Sequence, residues 1–208
     1  MKSSRRAGWI LGLSWALSAA QLAFAAPGTY EQALQRAMRT MYAINYDQAA
    51  QQFEEAIRIQ PENPRAYLYL ASCFWMKTLY QQNSLLTTAF ALPPDPYSPS
   101  PKSGSIPELR TRFDDAILRM KDRAQALTTT QPKNPEGHFW LGMAEGTESV
   151  FIASVDRKYL SAKGPADRSF DLMEKAAKMD PSFKDPLLLH GDAHASIGNP
   201  RLLHSCSP

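Results

Sequence analysis

The sequence predicts an all-α protein, an α-solenoid of antiparallel helical hairpins with about seven helices. The first observation is a recurring phrase: residues 60–64 read QPENP, residues 131–135 read QPKNP, and two related Asp-Pro steps lie within residues 180–186. Each copy joins a helix-stopping proline to a proline suited to the first turn of the next helix. The second observation is that apolar residues between the copies recur at helical spacing. Such repeated signals are typical of stacked hairpins, in which no unit buries its apolar face alone.

The first 25 residues have the pattern of a signal peptide. A basic start at residues 2–6 precedes an apolar run at residues 7–22, and residues 23–25 read Ala-Phe-Ala, the small-x-small pattern of a cleavage site. We therefore expect a mature chain that begins at Ala26 and is exported to the periplasm or secreted. The alternative is an uncleaved membrane anchor, because the apolar run approaches the roughly 20 residues that span a bilayer.

The basic character of the chain belongs to this leader. The 208 residues include 23 Lys and Arg against 20 Asp and Glu. The leader takes three bases and no acids, so 20 of each remain. Affinity for nucleic acid comes mainly from basic groups that displace counterions from phosphates. A neutral mature chain without a Lys or Arg cluster therefore excludes nucleic acid as the partner, and contact with a membrane is expected only if the leader is uncleaved.

The helical array is predicted over residues 26–198, with a proline-rich insertion at about residues 93–107 and an irregular tail at residues 199–208. The helices are expected at residues 29–44, 47–60, 64 towards 92, 107–129, 135–163, 165–179 and 187–198. The Asp47 carboxylate is expected to cap the second of these. Gly164 and Pro165 are interpreted as a helix stop followed at once by a restart. Cys73 is expected to be a small buried residue, and a bridge to Cys206 is the alternative.

Two sets of residues in the first half of the chain match one known motif. One set stands at the spacings of the second helix of a tetratricopeptide repeat: Tyr46, Ala49, Phe53, Ala56 and Pro61. The other resembles the first helix of that motif: Tyr67, Leu70, Ala71 and Phe74. The chain is thus similar to the tetratricopeptide repeat family, as a divergent, exported, bacterial-type member. The closing prolines, at positions 61, 132 and 181, are farther apart than the ideal repeat of about 34 residues, so a non-repeat helical bundle is the alternative.

The resemblance implies a concave groove that is lined by the first helix of each hairpin and binds a protein or peptide. Transfer of that geometry gives eight candidate residues: Met38, Arg65, Leu68, Ser72, Trp75, Met76, Phe139 and Met143. A groove rich in methionine and poor in charge suits an apolar or helical peptide, because soft side chains can repack around it. The alternative is that the long insertion covers Trp75 and the methionines.

His190 and His194 stand four residues apart, a spacing that can hold zinc on one helix face. Gly191 occupies the place where the metalloprotease motif needs its general-base Glu, and both histidines coincide with packing positions of a repeat helix. We therefore expect no catalytic residue, no metal and no cofactor. The predicted function is a non-enzymatic binding or scaffolding module exported to the cell envelope. The alternatives are a membrane-tethered adaptor of an envelope assembly or secretion complex and, as a lesser alternative, a metal-dependent hydrolase using these histidines.

Overall fold

The computed structural model describes residues 29–85 and 106–183. These residues form six α-helices and no β-strand. The helices are α1 (Tyr30–Tyr42), α2 (Tyr46–Ile59), α3 (Pro64–Gln81), α4 (Pro107–Thr130), α5 (Glu136–Phe151) and α6 (Tyr159–Met179). A π-helical turn, Ile152–Asp156, follows α5 directly. The predicted all-α fold is confirmed.

Each helix packs against the next one along the chain. The Arg112 guanidinium of α4 lies 4.5 Å from the ring centroid of Phe74, and the Arg119 guanidinium lies 4.9 Å from that of Tyr67. Residue numbers therefore rise along α4 while they fall along α3, which makes this pair antiparallel. The result is the row of antiparallel hairpins that the sequence predicts.

The motif residues fill the space between the helices. Ala49, Phe53 and Ala56 of α2 are fully buried, as are Leu70 and Ala71 of α3 apart from at most 1% of their surface. Small residues let two helix axes approach, and the Phe53 ring fills the wedge that remains. These positions confirm the packing that the motif predicts.

The recurring phrase has the same structure in its first two copies. In the first, Asn63 Oδ1 accepts a hydrogen bond from the Arg65 amide, and its Nδ2 donates to Gln60 Oε1 at 3.1 Å. In the second, Asn134 Oδ1 accepts from the Glu136 amide, and its Nδ2 donates to Gln131 Oε1 at 2.9 Å. The phrase thus satisfies a free amide at the start of a helix.

Two predicted helix boundaries are wrong. The second helix begins at Tyr46 after Asn45 rather than at a cap on Asp47, whose carboxylate pairs with Lys77 Nζ at 2.5 Å instead. The third helix ends at Gln81 and does not continue through residues 82–85. Asn83 there has a φ of 55°, and a residue in the left-handed region ends a right-handed helix.

The predicted break at Gly164 and Pro165 is also wrong, because α6 runs through both residues. The break falls earlier, where the π-helical turn leads to Arg157 with a φ of 56°. A proline removes the hydrogen bond to the carbonyl four residues before it, and its ring crowds the same carbonyl. That carbonyl belongs to Ser161, an exposed residue in the first turn of α6, so water can satisfy it.

Three groups of predictions lie outside the described residues. They are the leader at residues 1–25, most of the insertion at about residues 93–107, and everything predicted after residue 183. The last group contains the seventh helix, the pair His190 and His194, and the tail at residues 199–208.

Candidate functional site

The candidate groove is the face on which the first helices of the hairpins lie side by side. α3 contacts α1 on one side and α5 with its π-helical turn on the other. Arg65 Nη1 of α3 pairs with Glu31 Oε1 of α1 at 2.9 Å. At the other end of α3, Trp75 Nε1 donates to Ser154 Oγ of the π-helical turn at 2.9 Å. These contacts show that α1, α3 and α5 with its π-helical turn are neighbours.

Most of the predicted groove residues are half-buried. Met38, Trp75, Met76 and Met143 pack against the margin of the main hydrophobic core, each with part of its side chain accessible. Arg65, Ser72 and Met76 recur along α3 at spacings of seven and four residues, which places them on one side of the helix. This side is where α3 offers accessible surface, since most of its other residues are buried.

Leu68 and Phe139 are buried, so they can form the floor of a groove but not its accessible wall. The Phe139 ring packs edge-on against Trp140 at 4.9 Å and against Phe183 at 5.3 Å between centroids. Met173 and Ala176 of α6 complete this cluster. The selection of these eight residues as the binding surface stays a prediction.

Trp75 is covered in part by the π-helical turn. The turn is held by its hydrogen bond to the indole and by an ion pair from Asp156 Oδ2 to Arg110 Nη1 at 2.5 Å. Nothing in the sequence signals a π-helix here, although the overlong spacing between repeats indicates an added segment. The alternative coverage, by the proline-rich insertion, concerns residues outside the described ranges.

On the groove side, Arg65 of α3 is matched by Glu31 of α1 at 2.9 Å. On the side of α5 that faces α4 and α6, Glu145 accepts from Lys121 and from Arg168, each at 2.7 Å. Burial raises the pKa of the Glu145 carboxyl, but the hydrogen bonds from Lys121 and Arg168 outweigh it and hold that pKa below its usual range. The pair of Arg65 with Glu31 adds no net charge to the groove side.

Two kinds of reactive group are considered among the described residues: clusters of metal-ligating side chains and the Cys73 thiol. Within residues 29–85 and 106–183, no three His, Cys, Asp or Glu side chains stand close enough to hold a metal ion. Cys73 is buried, and burial raises the pKa of its thiol to about 12. The nucleophile is the thiolate, so Cys73 stays inert near neutral pH. Its Sγ donates to the Tyr46 carbonyl at 3.3 Å, the packing role that the sequence predicts.

A comparison with protein families finds one match, and it includes the whole of α3. The model for the tetratricopeptide repeat matches residues 34–83, from within α1 to just beyond α3. Residues 34–83 are therefore similar to a tetratricopeptide repeat. No curated protein and no solved structure gives a significant match. The similarity to the tetratricopeptide repeat covers the first hairpin and the helix that follows it.

Proposed function

We propose that this chain is a tetratricopeptide repeat protein and a non-enzymatic scaffold that binds an apolar or helical peptide segment of a protein partner. The family suggests protein interaction in general. The observation that supports the peptide's chemistry is the half-buried row of Met38, Ser72, Met76 and Met143 on one face. Methionine side chains adapt to differently shaped apolar partners, and the paired charges nearby do not favour an acidic peptide.

Export to the cell envelope is part of this proposal, and it is supported by the sequence of residues 1–25. The alternative is a membrane-tethered adaptor that keeps those residues. No helix within residues 29–85 and 106–183 has the length and hydropathy that a membrane crossing requires. The intact mass of protein recovered from its native envelope discriminates the two, because cleavage before Ala26 removes 25 residues.

Site-specific photo-crosslinking tests the proposed surface. A photoreactive amino acid replaces Ser72 on the groove side of α3 or, as the matched control, Leu118 on the outward side of α4. Leu118 is 59% exposed, so a label there meets solvent and samples random encounters. We expect one specific adduct from Ser72, identified by mass spectrometry, and none from Leu118.

The same adduct at both positions would contradict the groove assignment, and so would its absence at Ser72. A repeat with the label at Met38 distinguishes a local failure of the label from an empty face. Met38 belongs to the neighbouring helix α1, so a partner that lies across the groove is within reach of both positions.

A further inference from the structure

The antiparallel order of the helices brings the ends of all six to two opposite edges of the array. One edge carries the C-terminal ends of α1, α3 and α5 and the N-terminal ends of α2, α4 and α6. We call it the loop edge and define it as residues 42–47, 80–85, 106–110 and 150–160. Its parts are neighbours, since the Tyr46 and Tyr80 rings lie 5.8 Å apart and Arg110 pairs with Asp156.

Exposed apolar side chains are concentrated at this edge. Nine large apolar side chains are exposed within the described residues, and seven of them belong to the loop edge. The seven are Tyr42, Ile44, Tyr80, Leu85, Val150, Tyr159 and Leu160. Leu160 is 92% exposed and Tyr42 is 74% exposed. At the opposite edge, Ile59 is the only exposed large apolar side chain among the described residues. The exposed apolar surface is therefore distributed unequally between the two edges.

The chemistry of the most exposed segment indicates what this edge contacts. Arg157 and Lys158 directly precede Tyr159 and Leu160, and the left-handed turn at Arg157 sets this sequence at the tip between α5 and α6. Tyrosine is enriched at the interface between lipid and water. A leucine side chain is stabilised when it enters the boundary between the headgroups and the acyl chains, and basic groups are attracted to anionic headgroups.

The charge along the edge agrees with such a surface. Seven basic residues lie within about one helical turn of it: Arg39, Lys77, Arg110, Arg112, Arg157, Lys158 and Lys163. Five acidic residues lie in the same zone: Asp47, Glu108, Asp114, Glu148 and Asp156. Asp47 pairs with Lys77, and Asp114 and Asp156 both pair with Arg110. The remaining balance is positive, which is complementary to an anionic bilayer.

We propose that the loop edge docks on the surface of an anionic lipid bilayer, with Tyr159 and Leu160 in the interfacial layer and Lys158 near the headgroups. This contact does not involve the leader, so it departs from the sequence-based expectation that the chain meets a membrane only if the leader is uncleaved. It uses none of the eight groove residues. The groove would therefore remain open to a protein partner while the edge rests on the membrane.

The test places an environment-sensitive NBD fluorophore at the edge. The full chain carries Cys206→Ser, and the label is attached at Leu160→Cys or, as the matched control, at Leu118→Cys; buried Cys73 stays unlabelled. Vesicles of phosphatidylcholine with phosphatidylglycerol are compared with vesicles of phosphatidylcholine alone. We expect the emission at position 160 to rise and shift to the blue with the anionic vesicles, and the emission at position 118 to stay unchanged.

Charge reversal gives a second measurement. Lys158→Glu should weaken binding to the anionic vesicles, measured by titration of the emission at position 160, by about tenfold or more. Lys133→Glu makes the same charge change at the opposite edge and should leave the signal unchanged. No change at position 160, equal changes at both labels, or equal effects of both charge reversals would overturn the proposal. A change at position 160 that needs no vesicles and grows with protein concentration would overturn it in favour of a second copy of the chain.

A failure here is separate from a failure of the proposed function. The label reports only the surroundings of residue 160, so membrane binding through the leader alone does not change its emission. The groove is tested by crosslinks from α1 and α3, which do not depend on lipid.

Discussion

The indole Nε1 of Trp75 donates a hydrogen bond to Ser154 Oγ at 2.9 Å, across 79 residues of sequence. The same hydroxyl donates to the Val150 carbonyl at 2.6 Å. Because it accepts from one group and donates to the other, its orientation is fixed. The bond thereby fixes the π-helical turn to the C-terminal half of α3.

A double-mutant cycle should detect this bond. Trp75→Phe and Ser154→Ala each remove one partner, and a hydrogen bond of this kind contributes about 0.5–1.5 kcal/mol to the free energy of unfolding. We expect a coupling free energy of about that size in urea denaturation. Thr147→Ala is the control, because its hydroxyl donates to the Met143 carbonyl of the same helix. Coupling of Trp75 to Ser154 no larger than that to Thr147 would contradict the assigned bond.

Gly137 should tolerate no side chain. A Cβ built there lies 2.7 Å from Thr128 Cγ2 and 2.8 Å from the Thr128 backbone nitrogen. Helix propensity alone would favour Gly137→Ala by up to about 1 kcal/mol, but overpacking opposes it by about 1–3 kcal/mol. We expect a lower free energy of unfolding. Thr128→Ala removes the methyl group and leaves the backbone contact, so it should not restore stability; full restoration would contradict the close approach of α4 and α5.

Ile44→Gly should stabilise the protein. Ile44 has a φ of 64° and is half exposed, and a β-branched residue in the left-handed region is strained by about 1–2 kcal/mol. Glycine relieves the strain but adds about 0.4–1 kcal/mol of unfolded-state entropy, so we expect a net gain below about 1.5 kcal/mol in thermal unfolding. Ala43→Gly, at a φ of -78°, should destabilise. A loss of stability in Ile44→Gly would show that its side chain is needed in the fold.

Glu145 should make part of the stability depend on pH. Its folded-state pKa lies below the unfolded value, so its contribution is complete above the unfolded pKa of about 4.3 and is lost as the pH falls through the folded pKa. We expect wild type to exceed Glu145→Gln in free energy of unfolding at about pH 7. At about pH 3 this difference should shrink, as measured by urea denaturation. A difference that does not vary with pH would mean that the bridge to Lys121 and Arg168 contributes nothing through its charge.

The packing positions could be predicted because local chemistry determines them. Ala56 is small where two helices cross, and Asn63 caps α3 with the same bonds that Asn134 forms before α5. The boundary at Gly164 and Pro165 could not be predicted, because a tertiary contact overrides the local signal. Ser149 Oγ donates to the Ala162 carbonyl at 2.9 Å, which holds the start of α6 against α5 ahead of the proline.

The sequence could predict which side of each helix lines the groove, but not which of those side chains are accessible. Helical spacing places Ser72 and Met76 together on α3, and the structure leaves both half-buried. The inward packing of Phe139 against Phe183 depends on the turn after α6, which no pattern within α5 indicates. The hydrogen bond from Trp75 to the π-helical turn is equally invisible, since the spacing of residues 152–156 fits an ordinary helix.

The central claim is that the protein binds its partner through the face formed by α1, α3 and α5. Its most direct test is the dissociation constant of the crosslinked partner segment, made as a synthetic peptide, for wild type, Met76→Glu and the matched control Leu118→Glu. A carboxylate at position 76 would lose solvation against an apolar ligand, so we predict binding weaker by about tenfold or more for Met76→Glu and unchanged for Leu118→Glu. Equal dissociation constants for wild type and Met76→Glu would contradict the claim.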